Sequence, residues 1–258
     1  MSFDRIASSY RFLESIAFCN VLQRARTAFI PQTVDSRRAL VVGEGDGRFL
    51  AELLRTNPRI QVDCVDASKK MLRLARARAA VIPSKARDLA SIHKQFARSR
   101  GPSRTGIACA PRVDPYLQFG DASRVQFHRA DILDWIPPRS YDLVVTHFFL
   151  DCFDREQLSG LIAKLAHAAA PRSRWLVADF AIPPNGFRRV YAKIWLRTMY
   201  SFFHTIADLK ARELVDPSLF IQETGFQLRR EIVTRLGLVK TQLWERDRLT
   251  STLRCARP

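Results

Sequence analysis

The sequence predicts a doubly wound α/β domain: a seven-stranded, mostly parallel sheet with helices on both faces and an antiparallel hairpin at its C-terminal end. Three observations carry this. Short apolar runs alternate with stretches of helical period, the first such run ends in a glycine-rich turn, and the last two strand-like runs are separated only by Leu236 and Gly237. Parallel neighbours are reached through crossovers, and the helices of those crossovers cover both faces of the sheet, which is a Rossmann-like arrangement.

Residues 2–30 open the chain with Phe3, Ile6, Tyr10, Leu13 and Ala17 at helical spacing, an amphipathic helix or helix pair ended near Pro31. The run Ala39-Leu40-Val41-Val42 is a buried strand, Gly43-Glu44-Gly45-Asp46-Gly47 a turn, and residues 48–54 a helix. A second strand over 60–65 ends at Asp66, and residues 67–80 are helical with Leu72, Ala75 and Ala79 on one stripe. The period then breaks. Pro83, Gly101, Pro102, Pro111, Pro115 and Gly120 punctuate residues 81–124, which read as a disordered insertion.

Regularity resumes with strands over 125–129 and 141–146, a helix over 157–167 stopped by Pro171, and a fifth strand over 175–178. Residues 187–210 are basic and aromatic: Tyr191, Trp195 and Met199 share one helical stripe, and Arg189, Lys193 and Arg197 another. The runs 226–235 and 238–245 pair as a hairpin. One domain over residues 1–246 is expected, followed by a tail over 247–258.

The chain has 258 residues, 47% of them hydrophobic, and a net charge of +17. That content sustains a buried core, and no apolar run reaches the roughly 20 residues a membrane-spanning helix needs. Five scattered cysteines, never spaced Cys-x-x-Cys, argue against a disulfide framework or a metal site and for reduced thiols in the cytoplasm. The positive charge raises nucleic acid or an anionic membrane as partners. Part of it falls in the insertion and no nucleic-acid-binding module is evident, which argues against nucleic acid; peripheral membrane contact remains open through the basic aromatic stretch. The oligomeric state carries no signal in the sequence.

Glycines in a strand-to-helix turn let the backbone approach a ligand closely, since glycine accepts positive φ and has no Cβ. Here the spacing is G-x-G-x-G with Arg48 next, so the dinucleotide pattern G-x-G-x-x-G is not met. Asp66 ends the second strand, where a carboxylate can accept from both ribose hydroxyls, and Asp131 follows the third, where it can accept from an exocyclic amine. Each acid, taken alone, equally suits capping of the turn or helix that follows. In order and spacing they describe a nucleoside site.

These residues resemble the class I S-adenosylmethionine-dependent methyltransferases, in their quinone-biosynthesis-like, small-molecule branch, over residues 2–246. The resemblance implies that Gly43, Gly45 and Gly47 cradle the methionine part of S-adenosylmethionine, that Asp66 holds the ribose and that Asp131 meets the adenine amino group. Glu44, Asp46, Ala67, Ile132, His147 and Phe148 are placed at the same cofactor. Phe3-Asp4-Arg5-Ile6-Ala7-Ser8-Ser9-Tyr10 is similar to the family's N-terminal lid, with Tyr10 close to the cofactor. Residues 187–210 correspond to its acceptor cap, with Tyr191 and Trp195 walling the pocket. The family has an acid two residues before the first glycine where this chain has Val41, which leaves Glu44 or Asp46 to face the methionine ammonium.

Methyl transfer from a sulfonium needs alignment and exclusion of water, and a base only where the acceptor loses a proton. His147 and Phe148 follow the fourth strand and Asp179 and Phe180 end the fifth, at the carboxyl edge where reacting groups gather in such sheets. All four are expected near the transferable methyl. His147 is the candidate base, because a free imidazole titrates near pH ~6.5, or else it orients substrate. The expected function is methylation of a small hydrophobic or aromatic acceptor, with no metal. The alternatives are an RNA or protein methyltransferase and a non-catalytic S-adenosylmethionine-binding protein of the same fold.

Overall fold

The structure, a computed structural model, describes residues 21–81, 121–183, 215–234 and 237–247, together with Gly186 and Arg189. Its elements run α1 (Val21–Thr27), β1 (Arg38–Val42), α2 (Arg48–Thr56), β2 (Gln61–Asp66), α3 (Lys69–Ala80), β3 (Val125–Arg129), β4 (Tyr141–His147), α4 (Arg155–Ala168), β5 (Ala169–Phe180), α5 (Ser218–Glu223), β6 (Gln227–Thr234) and β7 (Val239–Arg246). One seven-stranded sheet has the order β3-β2-β1-β4-β5-β7-β6. The first five strands are parallel, and β7 runs antiparallel to both β5 and β6. The chain order reverses between β1 and β4, and a crevice opens at such a switch point outside the carboxyl ends of the strands.

The side-chain period of two explains why the strands are apolar throughout. Ala39 and Val41 of β1 pack with Phe49 and Leu53 of α2 and Ala75 of α3 on one face. Leu40 and Val42 pack with Leu158, Leu161 and Leu165 of α4 on the other. Leu22 and Ala25 of α1 join Ala178 and Phe180 at the end of β5. A buried polar link crosses three strands: Asp63 of β2 lies 2.6 Å from His128 Nε2 and accepts from Tyr141 Oη at 3.0 Å, with Arg139 Nε at 3.2 Å. Nothing in the local sequence pattern marks it.

Several expectations change. Helix α4 ends at Ala168 and β5 begins at the next residue, so Pro171 stands inside a strand and does not stop the helix. It is tolerated because the β4–β5 register jumps from Ala169 to Arg174, leaving Pro171, which has no N–H, in a bulge. Arg246 closes this junction, donating to Ala166 O at 3.0 Å and to the carbonyls of Ala169 and Ala170. Helix α5 is an element the sequence reading did not anticipate. The last part of the expected insertion, Asp121–Arg124, is a 3-10 turn, and Arg124 ties it to Leu54 O and Asn57 O. Residues 82–120, the lid before Val21, the cap other than Arg189 and the tail beyond Asp247 lie outside the described residues.

Candidate functional site

Three glycines form the turn after β1, all at positive φ, with Gly43 at 64°, Gly45 at 70° and Gly47 at 85°. Their reasons differ. A Cβ on Gly43 would stand 2.2 Å from Phe149 Cδ2, and one on Gly47 would stand 2.5 Å from Ala75 Cα, where α2 crosses α3. Around Gly45, no described atom lies within 4 Å of such a Cβ. The outer two glycines serve packing, and the middle one presents bare backbone to open space.

The two acids inside the turn go opposite ways. Asp46 pairs with Arg48 at 3.0 Å and Arg78 at 3.2 Å. Glu44 is buried, and its Oε1 accepts from Leu50 N at 3.0 Å in the first turn of α2. Burial pushes the Glu44 carboxyl up to about 8, against the pull of the Leu50 amide and the Arg26 guanidinium. Val41, where the resembling family has an acid, is packed into the core.

At the next strand ends, Asp66 Oδ1 accepts from Ser68 N at 2.8 Å, and Ser68 in turn caps α3 through Met71 N. Asp131 is exposed and accepts from Leu133 N at 3.0 Å. Ala67 is exposed and Ile132 buried. Both acids brace the turn that follows, and both stand at the carboxyl edge, Asp66 on the strand next to the glycine turn and Asp131 one strand further out.

His147 ends β4 and is only 5% exposed, its ring edge-on to Phe49 with centroids 4.7 Å apart. Among the described residues neither ring nitrogen has a hydrogen-bond partner. Burial drives its pKa down to about 3, with Arg26 adding to the effect, so the imidazole is neutral. A base titrating near pH ~6.5 is therefore not what the fold presents, since a desolvated ring beside a cation has nothing to stabilise its charged form. Phe148 follows at φ 52°, the one positive-φ non-glycine among the described residues. Its N–H donates to Ala178 O at 2.5 Å, its ring packs on Phe180, and the Arg26 guanidinium sits 4.9 Å above that ring. Arg26 was not picked out from the sequence, where it is one arginine among many.

In the β4–β5 register His147 stands beside Ala178, so both face the α1 and α2 side. Asp179, one residue on, faces the α4 side, where its Oδ1 accepts from Phe149 N at 3.2 Å. The four residues expected around one reacting centre share a sheet edge but are divided between its two faces. Tyr10, Tyr191 and Trp195 lie outside the described residues. Among the described residues no group of three or more His, Cys, Asp or Glu is placed to hold a metal ion, and no helix is long and apolar enough to cross a membrane.

No family model matches the chain, and no curated protein matches it. Solved structures do. An O-methyltransferase family protein from Burkholderia thailandensis matches with a TM-score of 0.60 at 16% identity, over 95% of this chain and 60% of its own. An O-methyltransferase family 2 protein from Planctomyces limnophilus, in complex with apigenin, matches with a TM-score of 0.59 at 16% identity, over 93% of this chain and 61% of its own. The apo form of the S-adenosylmethionine-dependent methyltransferase SibL matches with a TM-score of 0.55 at 21% identity, over 88% of this chain and 55% of its own. The fold is that of the S-adenosylmethionine-dependent methyltransferases. The chain spans about three-fifths of the length of these neighbours. Within this methyltransferase fold, the turn from Gly43 to Gly47 stands after β1, the acids Asp66 and Asp131 at the ends of β2 and β3, and His147 at the end of β4.

Proposed function

We propose that the protein is an S-adenosylmethionine-dependent methyltransferase acting on a small, hydrophobic or aromatic acceptor. One observation carries this most directly: in the sheet order of the methyltransferase fold, the open backbone at Gly45 stands in the turn after β1, and the neighbouring strand β4 ends in His147, a buried side chain whose two ring nitrogens have no hydrogen-bond partner among the described residues. A buried polar group without a partner is costly, and a ligand with hydrogen-bonding atoms relieves that cost. The residues present fit S-adenosylmethionine, which when bound supplies a methyl group on a sulfonium.

In this reading the Gly43–Gly47 backbone lies along the methionine part, and Glu44, inward-facing, takes the place of the acid missing at Val41. Asp66, with Ala67, holds the ribose hydroxyls, and Asp131, with Ile132, the adenine amine. His147 serves as a neutral hydrogen-bonding group that orients cofactor or acceptor. Phe148, Phe180 and Asp179 border the acceptor side, and Tyr10, Tyr191 and Trp195 complete the lid and cap. Exclusion of water by these apolar walls and alignment of the acceptor are the main catalytic contributions. The free thiols of Cys64 and Cys152 suit a reducing cytoplasm.

Calorimetric titration with S-adenosylmethionine, S-adenosylhomocysteine and NAD tests the cofactor. Binding of the first two with NAD silent is the expected result, followed by methyl transfer to phenolic or quinone-like acceptors. Silence from all three would overturn the proposal. Binding without turnover on a broad acceptor panel would leave the non-catalytic alternative.

A further inference from the structure

The loop from β3 to β4 contains no helix, yet a side chain from α4 holds its backbone. After Asp131 the chain makes a single turn, in which Trp135 N donates to Asp131 O at 2.9 Å and Asp134 N to the same carbonyl at 3.1 Å. Asp131 Oδ1 closes the start of that turn by accepting from Leu133 N at 3.0 Å. Three carbonyls of the turn converge on Lys164 of α4. Its Nζ donates to Ile132 O at 3.1 Å, to Leu133 O, and to Trp135 O at 3.4 Å. An ammonium has three N–H donors, and the loop takes them all.

Connecting two strands does not require this. Ile132 is buried, and Leu133 and Trp135 pack against the core cluster shared with α4, so apolar contact already ties the loop down. Drawing a lysine in among carbonyls costs hydration and the freedom of a long side chain. What it adds is direction. The Ile132 carbonyl and the Leu133 amide belong to one planar peptide group, which cannot turn at one end without turning at the other. Lys164 holds the carbonyl end, and the amide end holds Asp131. Asp131 is itself exposed, so packing does not fix its carboxylate. With Oδ1 tied to the turn, Oδ2 is the oxygen left for a ligand.

We propose that Lys164 is a positioning residue for the adenine contact: through the Ile132–Leu133 peptide it sets the carboxylate of Asp131, and with it the preference for a purine that bears an exocyclic amine. This rests on the methyltransferase reading and adds to it a residue that acts through Asp131.

The test compares S-adenosylhomocysteine with S-inosylhomocysteine, which has a carbonyl oxygen in place of the exocyclic amine, by calorimetric titration. The wild type is expected to bind the adenine form about tenfold more tightly or better, the scale of one hydrogen bond to a charged group. In Lys164→Met, which keeps the apolar stem, that preference should fall to about threefold or less. A lysine that only stabilised the fold would weaken both ligands alike, and an unchanged ratio overturns the inference. Asp131→Ala should abolish the preference, and adding Lys164→Met to it should change neither affinity by more than about twofold. A larger loss in the double variant would show Lys164 acting by another route and would overturn the inference too. If Lys164→Met does not fold, Lys164→Gln, shorter and uncharged, is read by the same ratio. Equal binding of the two ligands by the wild type would remove the adenine contact at Asp131 and overturn the inference while leaving the methyltransferase reading in place. Failure of S-adenosylhomocysteine to bind at all would instead sink that reading, and the inference with it.

Discussion

The ring of Phe149 lies against the backbone of Gly43, leaving no room for even one carbon atom on the glycine. The residue after β4 thus closes onto the turn after β1, and its amide is held by Asp179 from β5. Three strand ends are locked by one side chain and one hydrogen bond.

Gly43→Ala is therefore expected to cost about 2–4 kcal/mol, combining a steric clash with left-handed backbone strain. Gly45→Ala meets strain alone and should cost about 1–2 kcal/mol in stability while weakening S-adenosylhomocysteine binding more than that. Denaturant unfolding and ligand titration of both variants separate the two roles. Adding Phe149→Ala to Gly43→Ala should recover part of the clash term, and strict additivity would show that the ring is not its source.

Asp66→Ala should weaken binding of S-adenosylhomocysteine by about 1–3 kcal/mol, the scale for buried hydroxyls that lose a charged partner. Unchanged affinity would place the ribose elsewhere on the sheet edge.

Glu44 makes a pH prediction. In the unfolded chain its carboxyl ionises near 4.5, and in the folded protein near about 8, so between those values only the folded state holds the proton. The wild type should then lose stability relative to Glu44→Gln as pH rises through this window, with the difference levelling off above it. Thermal melts of the pair across the window measure this; a difference independent of pH would mean that the carboxyl is already ionised in the fold.

His147 works in the opposite sense. Its folded pKa of about 3 lies below the ordinary 6.5, so the stability it allows is present above 6.5 and is lost as pH falls toward 3, when only the unfolded chain gains the proton. His147→Leu should remove that acid sensitivity and raise neutral-pH stability by about 1 kcal/mol, because two unpaired buried nitrogens disappear. The same variant should bind S-adenosylhomocysteine more weakly. Gain of stability with unchanged binding would make His147 a wall residue only.

Much of the fold was legible because it depends on near neighbours in the chain. Ala39 to Val42 reads as a buried strand from four apolar residues, the glycine spacing marks the turn, and Leu72, Ala75 and Ala79 mark the buried stripe of α3. Pro171 misled, since a proline that ends most helices stands here in a bulge whose existence depends on β4. Helix α5 escaped because its six residues are too few to display a period. The site was legible as a list of positions, and Arg26 was missing from that list because its place over Phe148 depends on how α1 docks.

By itself the sequence determined the alternation of strand and helix, the glycine turn, and the acids at consecutive strand ends, because periodicity and turn chemistry act over a few residues. Only the tertiary structure decided which glycine stays open, that Glu44 turns inward while Asp46 meets arginines, that His147 is neutral, and that Asp179 faces away from it. Burial, register and charge state are set by atoms tens of residues away in the chain, and no local pattern encodes them.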